Sequence, residues 1–432
     1  MAEITLDLAH SYVSHPQSDE DYALLPLRFT FRDGGAYALL GPSGCGKTTL
    51  LNCISGLLPP SHGRILFDGR DVTALTPQQR NIAQVFQFPV VYDTMTVADN
   101  LAFPLRNRGM PAAHIRERVG RIAEMLELSS QLDRRASGLS ADAKQKISLG
   151  RGLVRSDVSA VLFDEPLTVI DPHLKWQLRR KLKEIHQELK LTLIYVTHDQ
   201  TEALTFAEEV VVMSRGKTVQ IGTPEALFEQ PEHTFVGHFI GSPGMNFLSA
   251  EWTSTQLTAG QHRLWDASTL TMTSATAAAT VSAPTPSSAS VPASTSIAAP
   301  APASTSTPAS TPTSTPTSTP TSTPTPTSTP ASPSLRDVTN ISADALTVPG
   351  PVTVGIRPEY LYPCAPNTTG ALSARVIRVQ DLGTYRLLSC DIGGAVLRAR
   401  ARAADTVAVG DTVWLPVLNS HTCFYRNEEL LR

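Results

Sequence analysis

The chain has 432 residues, a formal net charge of −3 and 41% hydrophobic residues. This length predicts two or three domains, and the near-balanced charge predicts neither a nucleic-acid partner nor wholesale binding to an anionic membrane. Its five cysteines, Cys45, Cys53, Cys364, Cys390 and Cys423, form no CxxC pair, which argues against a zinc or redox site. Residues 1–10 carry acid and no apolar h-region, so no signal peptide is expected. No apolar run approaches the roughly 18 residues that span a bilayer. A soluble, cytoplasmic chain is expected, with any membrane part supplied by other subunits.

In chain order, Ala36-Tyr37-Ala38-Leu39-Leu40 is a short apolar run that ends in Gly41. The apolar positions Leu50, Leu51, Ile54 and Leu57 that follow predict a helix. A strand-like run over 82–86 precedes Gln87, and a mostly helical insertion follows it, with an apolar-aromatic stretch over 88–92 and a helical pattern over 116–128. The runs 160–163, 193–196 and 210–213 read as further buried strands, and 175–189 as a helix facing inward through Leu178, Leu182, Ile185 and Leu189. Buried strands alternating with helices predict an α/β fold with a parallel sheet. Polar residues sit just past three strand ends, where such sheets place ligand chemistry.

Residues 266–334 are almost wholly Thr, Ser, Pro and Ala, with a repeated Thr-Pro-Thr-Ser unit at the centre. This composition cannot bury enough apolar surface to offset its ordering entropy, and it predicts a disordered linker. Beyond it, 352–355, 374–379 and 412–415 read as short strands punctuated by Gly and Asp, which predicts a small all-β barrel.

Gly41-Pro42-Ser43-Gly44-Cys45-Gly46-Lys47-Thr48 is a complete P-loop pattern between a strand and a helix, the context that the motif requires. Its glycines let backbone N–H groups turn toward phosphate oxygens, and the helix N-terminus adds partial positive charge. Lys47 is expected to reach the β- and γ-phosphates of ATP and Thr48 to ligate Mg²⁺. With Thr49 these residues form the expected nucleotide-binding set. Asp164, closing the second buried strand, suits a Mg²⁺ ligand, and Glu165 suits the base that polarises the attacking water.

P-loop, Gln87, a Ser-containing turn, Asp164-Glu165, Asp171 and His198 follow one another in the order of an ABC ATPase, and residues 1–236 resemble that family, with a helical subdomain at about 88–155. The resemblance implies that Gln87 senses both Mg²⁺ and the attacking water, that Asp171 belongs to the D-loop, and that His198 contacts the γ-phosphate. It also implies an aromatic residue stacked on adenine, for which Tyr12 is the match and Tyr22 a competitor. In the family the segment after Gln87 docks onto transmembrane subunits, although 88–92 reads equally well as core. Residues 235–248 and Gly355-Ile356-Arg357-Pro358-Glu359 resemble the accessory OB-like barrel of sugar-importer ATPases. Here that barrel is split into 237–265 and 335–432 by the insertion 266–334.

The chain departs from the family at one place. The signature turn Leu-Ser-Gly-Gly-Gln, which faces the γ-phosphate on the opposite subunit, is Leu139-Ser140-Ala141-Asp142-Ala143 here. Methyl and carboxymethyl groups hinder close approach of backbone N–H groups. A carboxylate at ~4 Å from a phosphate charge is repelled by roughly 4 kcal/mol at an effective dielectric of 20; turned away, Asp142 would instead favour the helix dipole. Intact Lys47, Asp164, Glu165 and His198 beside a signature that keeps Ser140 but alters Ala141, Asp142 and Ala143 predict a heterodimer with a second ATPase of intact signature. This combination resembles the first ATPase of the paired-ATPase glycerol importers. The expected complex sits at the cytoplasmic face of the inner membrane and contains two transmembrane permease subunits and a periplasmic or extracellular solute-binding protein. Glycerol leads among the small carbohydrates and polyols. A homodimeric sugar or glycerol-phosphate importer ATPase and a regulatory ATP-binding subunit with little catalysis are the alternatives.

Overall fold

The computed structural model describes residues 2–253, 255–266, 339, 348–366 and 368–432. The linker expected over 266–334 lies outside the described residues except at Asp266, which ends the strand His262–Asp266.

A six-stranded sheet organises the N-terminal part. Its strand order is Lys217–Gly222, Glu209–Ser214, Ala36–Leu40, Leu193–Thr197, Ala160–Asp164, Ile82–Val85. All neighbouring pairs are parallel except the first. Every residue of Ala36–Leu40 and Leu193–Thr197 is buried, because both faces are covered. The period of two sorts each strand between two cores. Ala36, Ala38 and Leu40 face the helices Val97–Arg106, Ala141–Leu153 and Pro172–Leu189 through Leu101, Ile147 and Leu182. Tyr37 and Leu39 face the helix Lys47–Ser55 and a second sheet.

That second sheet, which the sequence reading did not anticipate, is antiparallel, in the order Tyr22–Phe31, Ile4–Ser11, His62–Phe67, Arg70–Asp71. Ile4, Leu6 and Leu8 point inward and Thr5 and Asp7 lie between them, the alternation of a strand with one face on a core.

The C-terminal part is all-β, as expected, and is built from two antiparallel sheets. One runs His262–Asp266, Gln256–Ala259, Asn246–Trp252, Gly350–Ile356, Cys423–Arg426, Glu429–Leu430; the other runs Val396–Arg402, Tyr385–Asp391, Ala371–Asp381, Thr412–Pro416. Leu248, Val354, Leu372, Leu388, Ala399 and Leu415 share one core. Asn246–Trp252 pairs with Gly350–Ile356 residue for residue, from Asn246↔Ile356 to Trp252↔Gly350. The pieces on either side of the insertion therefore form one sheet. Loop-closure cost grows only as about (3/2)RT ln n, so a long insertion is compatible with that pairing.

Arg357 fastens the two parts together. It is 1% exposed; its Nε donates to the Phe228 carbonyl and its Nη1 to the Ile240 carbonyl, both at 2.5 Å. The guanidinium also lies 4.0 Å from the Phe228 ring centroid. Phe228 belongs to the helix Pro224–Glu229, whose last carbonyls have no partner within the helix and favour a cation. Arg357→Met leaves these carbonyls buried and unsatisfied. It is expected to destabilise the chain by about 3 kcal/mol, read as a lowered midpoint in urea denaturation. Arg357→Lys recovers only part, because an ammonium cannot reproduce the planar fork.

Candidate active site

The three central strands Ala36–Leu40, Leu193–Thr197 and Ala160–Asp164 are parallel neighbours, with Leu40 opposite Thr197 and Asp164 opposite Val196. Their C-terminal ends therefore open on one edge, and the P-loop, the Asp164-Glu165 pair and His198 follow at that edge. The loop needs glycine for steric reasons at both ends. A Cβ on Gly41 would stand 2.2 Å from the Met213 carbonyl oxygen, and one on Gly46 2.5 Å from that of Ala23, with φ at +102°. Gly46 caps the helix Lys47–Ser55 without any side-chain acceptor, so its first N–H groups are available to an anion. Lys47 lies back over the loop, its Nζ donating to Gly41 O at 2.8 Å and Pro42 O at 2.9 Å. Its third donor has only the weak acceptor Cys45 Sγ, at 3.8 Å, which a phosphate oxygen would displace.

Thr48 Oγ1 donates to Asp164 Oδ1 at 3.3 Å. Burial, the dominant influence, pushes the Asp164 carboxyl above its ordinary range; the Thr48 hydroxyl opposes this and Glu165 reinforces it. A carboxylate whose charge is disfavoured by burial, next to a hydroxyl oxygen, suits a hard divalent cation. Among the described residues no cluster of three or more His, Cys, Asp or Glu side chains forms a metal cage. That donor set fits Mg²⁺, which takes one or two protein oxygens and completes its shell with phosphate and water.

Glu165 holds a left-handed backbone, φ +47°, a conformation uncommon outside glycine and often found at functional positions. Its N–H donates to Val196 O at 3.0 Å, which ties this turn to the strand that leads into His198. Glu165 Oε2 lies 3.0 Å from His198 Nδ1 and accepts from Thr168 Oγ1 at 3.2 Å. The two residues, proposed separately from the sequence, are thus direct partners. In the neutral tautomer that donates Nδ1–H to Glu165, His198 keeps Nε2 for another partner.

The remaining expected residues are placed unequally. Gln87 lies half-buried just past Ile82–Val85, the edge strand beside Ala160–Asp164. Among the described residues it makes no hydrogen bond to Thr48, Asp164 or Glu165. Asp171 caps the helix Pro172–Leu189 by accepting from His173 N at 2.9 Å. Tyr12 is 66% exposed, with its hydroxyl 3.2 Å from Thr49 Oγ1 and its ring edge-on to His10. Tyr22 instead lines, with Pro42, Cys45, Arg215 and Glu428, a cavity of about 990 Å³ that does not include Lys47, Asp164 or Glu165. The link to Thr49 favours Tyr12 as the base-stacking residue. Tyr12→Ala is expected to weaken ATP binding roughly tenfold, and Tyr22→Ala to leave it within about twofold, in a titration with a fluorescent ATP analogue.

The turn Leu139-Ser140-Ala141-Asp142-Ala143, expected to be an altered signature, starts the helix Ala141–Leu153. Ser140 caps it, accepting from Ala143 N at 3.3 Å. Asp142 Oδ2 lies 4.0 Å from Lys146 Nζ on the same helix, so its carboxylate turns back along its own helix. A carboxylate in that place is favoured by the dipole of its own helix.

The stretch over 88–92 is divided: Val91 packs partly buried against the main core, while Phe88, Val90 and Tyr92 are exposed. Phe88 is 68% exposed and Val90 51%. One face of the helix Ala141–Leu153 holds this stretch in place. Lys144 Nζ reaches Asp93 Oδ1 at 2.8 Å, Ser148 Oγ accepts from Val90 N at 3.3 Å, and Arg151 donates to Val90 O at 2.9 Å. Arg151 also lies over the Tyr92 ring at 4.6 Å. These pins are spaced as helix neighbours should be, but nothing in the composition of 88–92 announces them.

Residues 24–168 match the protein-family model described as ABC transporter, and residues 354–423 the one described as TOBE domain. The chain is 46% identical over 258 residues to the trehalose import ATP-binding protein SugC of Mycobacterium tuberculosis. That alignment takes in 60% of this chain and spans 64% of the relative's length. It is 42% identical over 260 residues to the sn-glycerol-3-phosphate import ATP-binding protein UgpC of Jannaschia sp., covering 60% of this chain and 73% of that one. The oligosaccharides import ATP-binding protein MsmX of Bacillus subtilis is 42% identical over 264 residues, covering 61% and 71% respectively.

Proposed function

We infer that this chain, which belongs to the ABC transporter family, binds ATP and hydrolyses it to drive import of a small carbohydrate or polyol. The observation that carries this reading is the convergence of Lys47, Thr48, Asp164, Glu165 and His198 at one edge of a parallel sheet. Backbone N–H groups of the P-loop and the Lys47 ammonium hold the phosphates. Mg²⁺, held by Thr48 and Asp164, would neutralise charge developing on the β- and γ-oxygens. Glu165 orients a water and accepts its proton as the water oxygen bonds to the γ-phosphorus and the bond to the ADP oxygen breaks. His198 Nδ1 holds the Glu165 carboxylate in place.

The relatives import trehalose, sn-glycerol-3-phosphate and oligosaccharides by name, which supports the solute class. Within it we propose glycerol, on the ground of Leu139-Ser140-Ala141-Asp142-Ala143. The same turn supports a heterodimer. A second ATPase with intact glycines would complete the site on this chain's P-loop, and its own P-loop would face the altered turn. No helix among the described residues is long and apolar enough to cross a membrane. We propose that the chain sits at the cytoplasmic face of the inner membrane, held there by two permease subunits that serve a solute-binding protein, which the import role in its relatives' names supports. The exposed segment Phe88, Val90 and Tyr92, fixed to the signature helix by Lys144, Ser148 and Arg151, is the proposed docking surface for those permeases.

The test is co-purification with multispanning subunits, followed by reconstitution into vesicles with solute-binding protein and ATP inside. ATP-dependent uptake of labelled glycerol or another small polyol or sugar is expected. A complex that binds no nucleotide, or that transports without consuming it, would overturn the reading.

A further inference from the structure

One buried carboxylate next to the site has no part in the chemistry described above. Glu202 is 3% exposed, in the short helix Gln200–Phe206 that follows His198. An ionised carboxylate so buried is costly unless its oxygens are paired. Both oxygens of Glu202 are engaged, and with different structures. Oε2 accepts from Thr197 Oγ1 at 2.8 Å and from Tyr195 Oη at 3.0 Å. Both donors come from the strand Leu193–Thr197, which leads into His198. Oε1 lies 3.7 Å from Lys175 Nζ, and Lys175 stands one turn into the helix capped by Asp171, with its N–H on the Asp171 carbonyl at 3.0 Å.

The Thr197 hydroxyl does two things at once. It donates to Glu202 and accepts from Asp199 N at 3.0 Å. The residues on both sides of His198 are therefore anchored on one hydroxyl, and that hydroxyl is anchored on Glu202. Burial, and then Glu202 itself, hold the Tyr195 phenol far above its ordinary range, so it remains a donor.

We propose that Glu202 is a positioning residue that fixes His198 against Glu165 and links that histidine to the Asp171 turn through Lys175. The proposal rests on the ATPase reading and deepens it. It assigns to one carboxylate the coupling between His198 and the turn at Asp171. Glu202 touches neither nucleotide nor water; it acts through Thr197 and Lys175.

The test is a double-mutant cycle in the assembled complex, with kcat and KM for ATP measured for each variant. Glu202→Ala removes both links and is expected to lower kcat roughly tenfold, the scale of loss for a misplaced catalytic group. KM should stay within about twofold, because Lys47, Thr48 and Asp164 are untouched. In a His198→Ala background the same change is expected to lower kcat by less than about twofold, since its target is gone. Glu202→Gln keeps a carbonyl oxygen for the two hydroxyls and loses the attraction for Lys175. It should therefore recover only part of the kcat, an intermediate loss that Lys175→Met should match; full kcat in Lys175→Met would overturn the link to Asp171. Thr197→Val, which keeps Glu202, should reproduce part of the Glu202→Ala loss and serves if Glu202→Ala fails to fold. A tenfold loss that persists in the His198→Ala background overturns the proposal, as does a parallel rise in KM. The ATPase reading fails separately: its failure appears as a wild-type complex that releases no phosphate, whatever Glu202 does.

Discussion

Replacing Glu165 by Gln is expected to slow ATP hydrolysis about a thousandfold while leaving ATP binding intact. The amide has nearly the same size and keeps one carbonyl oxygen, so it still accepts from Thr168 Oγ1 or His198 Nδ1. It is no easier or harder to hold at φ +47°, so strain at that turn is unchanged. What it lacks is a lone pair basic enough to take the proton of the attacking water. Nothing that binds the triphosphate is altered, since Lys47 and the P-loop N–H groups lie on another strand end. The sign of the secondary effect is also fixed. Glu165 is one of the groups that push the Asp164 carboxyl upward. Removing its charge favours ionised Asp164, so the apparent affinity for Mg²⁺ and ATP should hold or improve. Single-turnover phosphate release and a fluorescent-nucleotide titration on the same preparation separate the two effects. If more than about a tenth of the rate survives, Glu165 is not the base. If the variant complex still transports, the chain is a regulatory ATP-binding subunit and another ATPase supplies the power.

How much of this was legible beforehand depends on range. Ala36–Leu40, Ala160–Asp164 and Leu193–Thr197 were visible as apolar runs because a strand covered on both faces has no polar positions to blur it. The Ile4-Thr5-Leu6-Asp7-Leu8 alternation was equally readable and marks an antiparallel strand. Its partner Tyr22–Phe31, interrupted by Pro26 and separated by a polar stretch, hides the pairing. The Glu165–His198 contact could not be read from spacing. It follows from Ala160–Asp164 and Leu193–Thr197 being parallel neighbours, which is a property of sheet order. Asp142 is the opposite case: its partner Lys146 is four residues on, a pair that the helix period alone predicts. Glu202 looked like an ordinary polar residue in a short helix, because its burial is decided by Tyr195 and Lys175 from two other elements. Arg357 was noted as part of a motif, but its grip on Phe228 and Ile240 joins residues far apart in the chain and needed the fold.

Giving the proposed signature turn the family's residues, Ala141→Gly, Asp142→Gly and Ala143→Gln together, is expected to raise ATP hydrolysis by the isolated chain about a hundredfold and to make it cooperative in ATP. In a head-to-tail dimer of this chain each signature would face the other subunit's P-loop, so an altered turn weakens both sites at once. A single well-aimed backbone donor to a developing oxyanion is worth about 10²–10³ in rate; a hundredfold gain corresponds to about 2.7 kcal/mol. The Ser140 cap stays in place, so the helix keeps its start. Two glycines in the first turn cost about 0.5–1 kcal/mol each in helix stability. Against this, Asp142 Oδ1 is buried without a hydrogen-bond partner among the described residues, and its removal relieves that cost. The variant should therefore fold, and its midpoint in urea checks that it does. Phosphate release against ATP concentration then decides the pairing. A slow parent and a fast, cooperative variant mean that the missing glycines limit this chain, and that in the cell a second ATPase with an intact turn supplies them. A parent that is already fast and cooperative alone means that the alanines and Asp142 are tolerated and the chain works as a homodimer. If parent and variant are equally slow although both bind ATP, the limit lies outside the turn, and the turn gives this chain no need of an unequal partner.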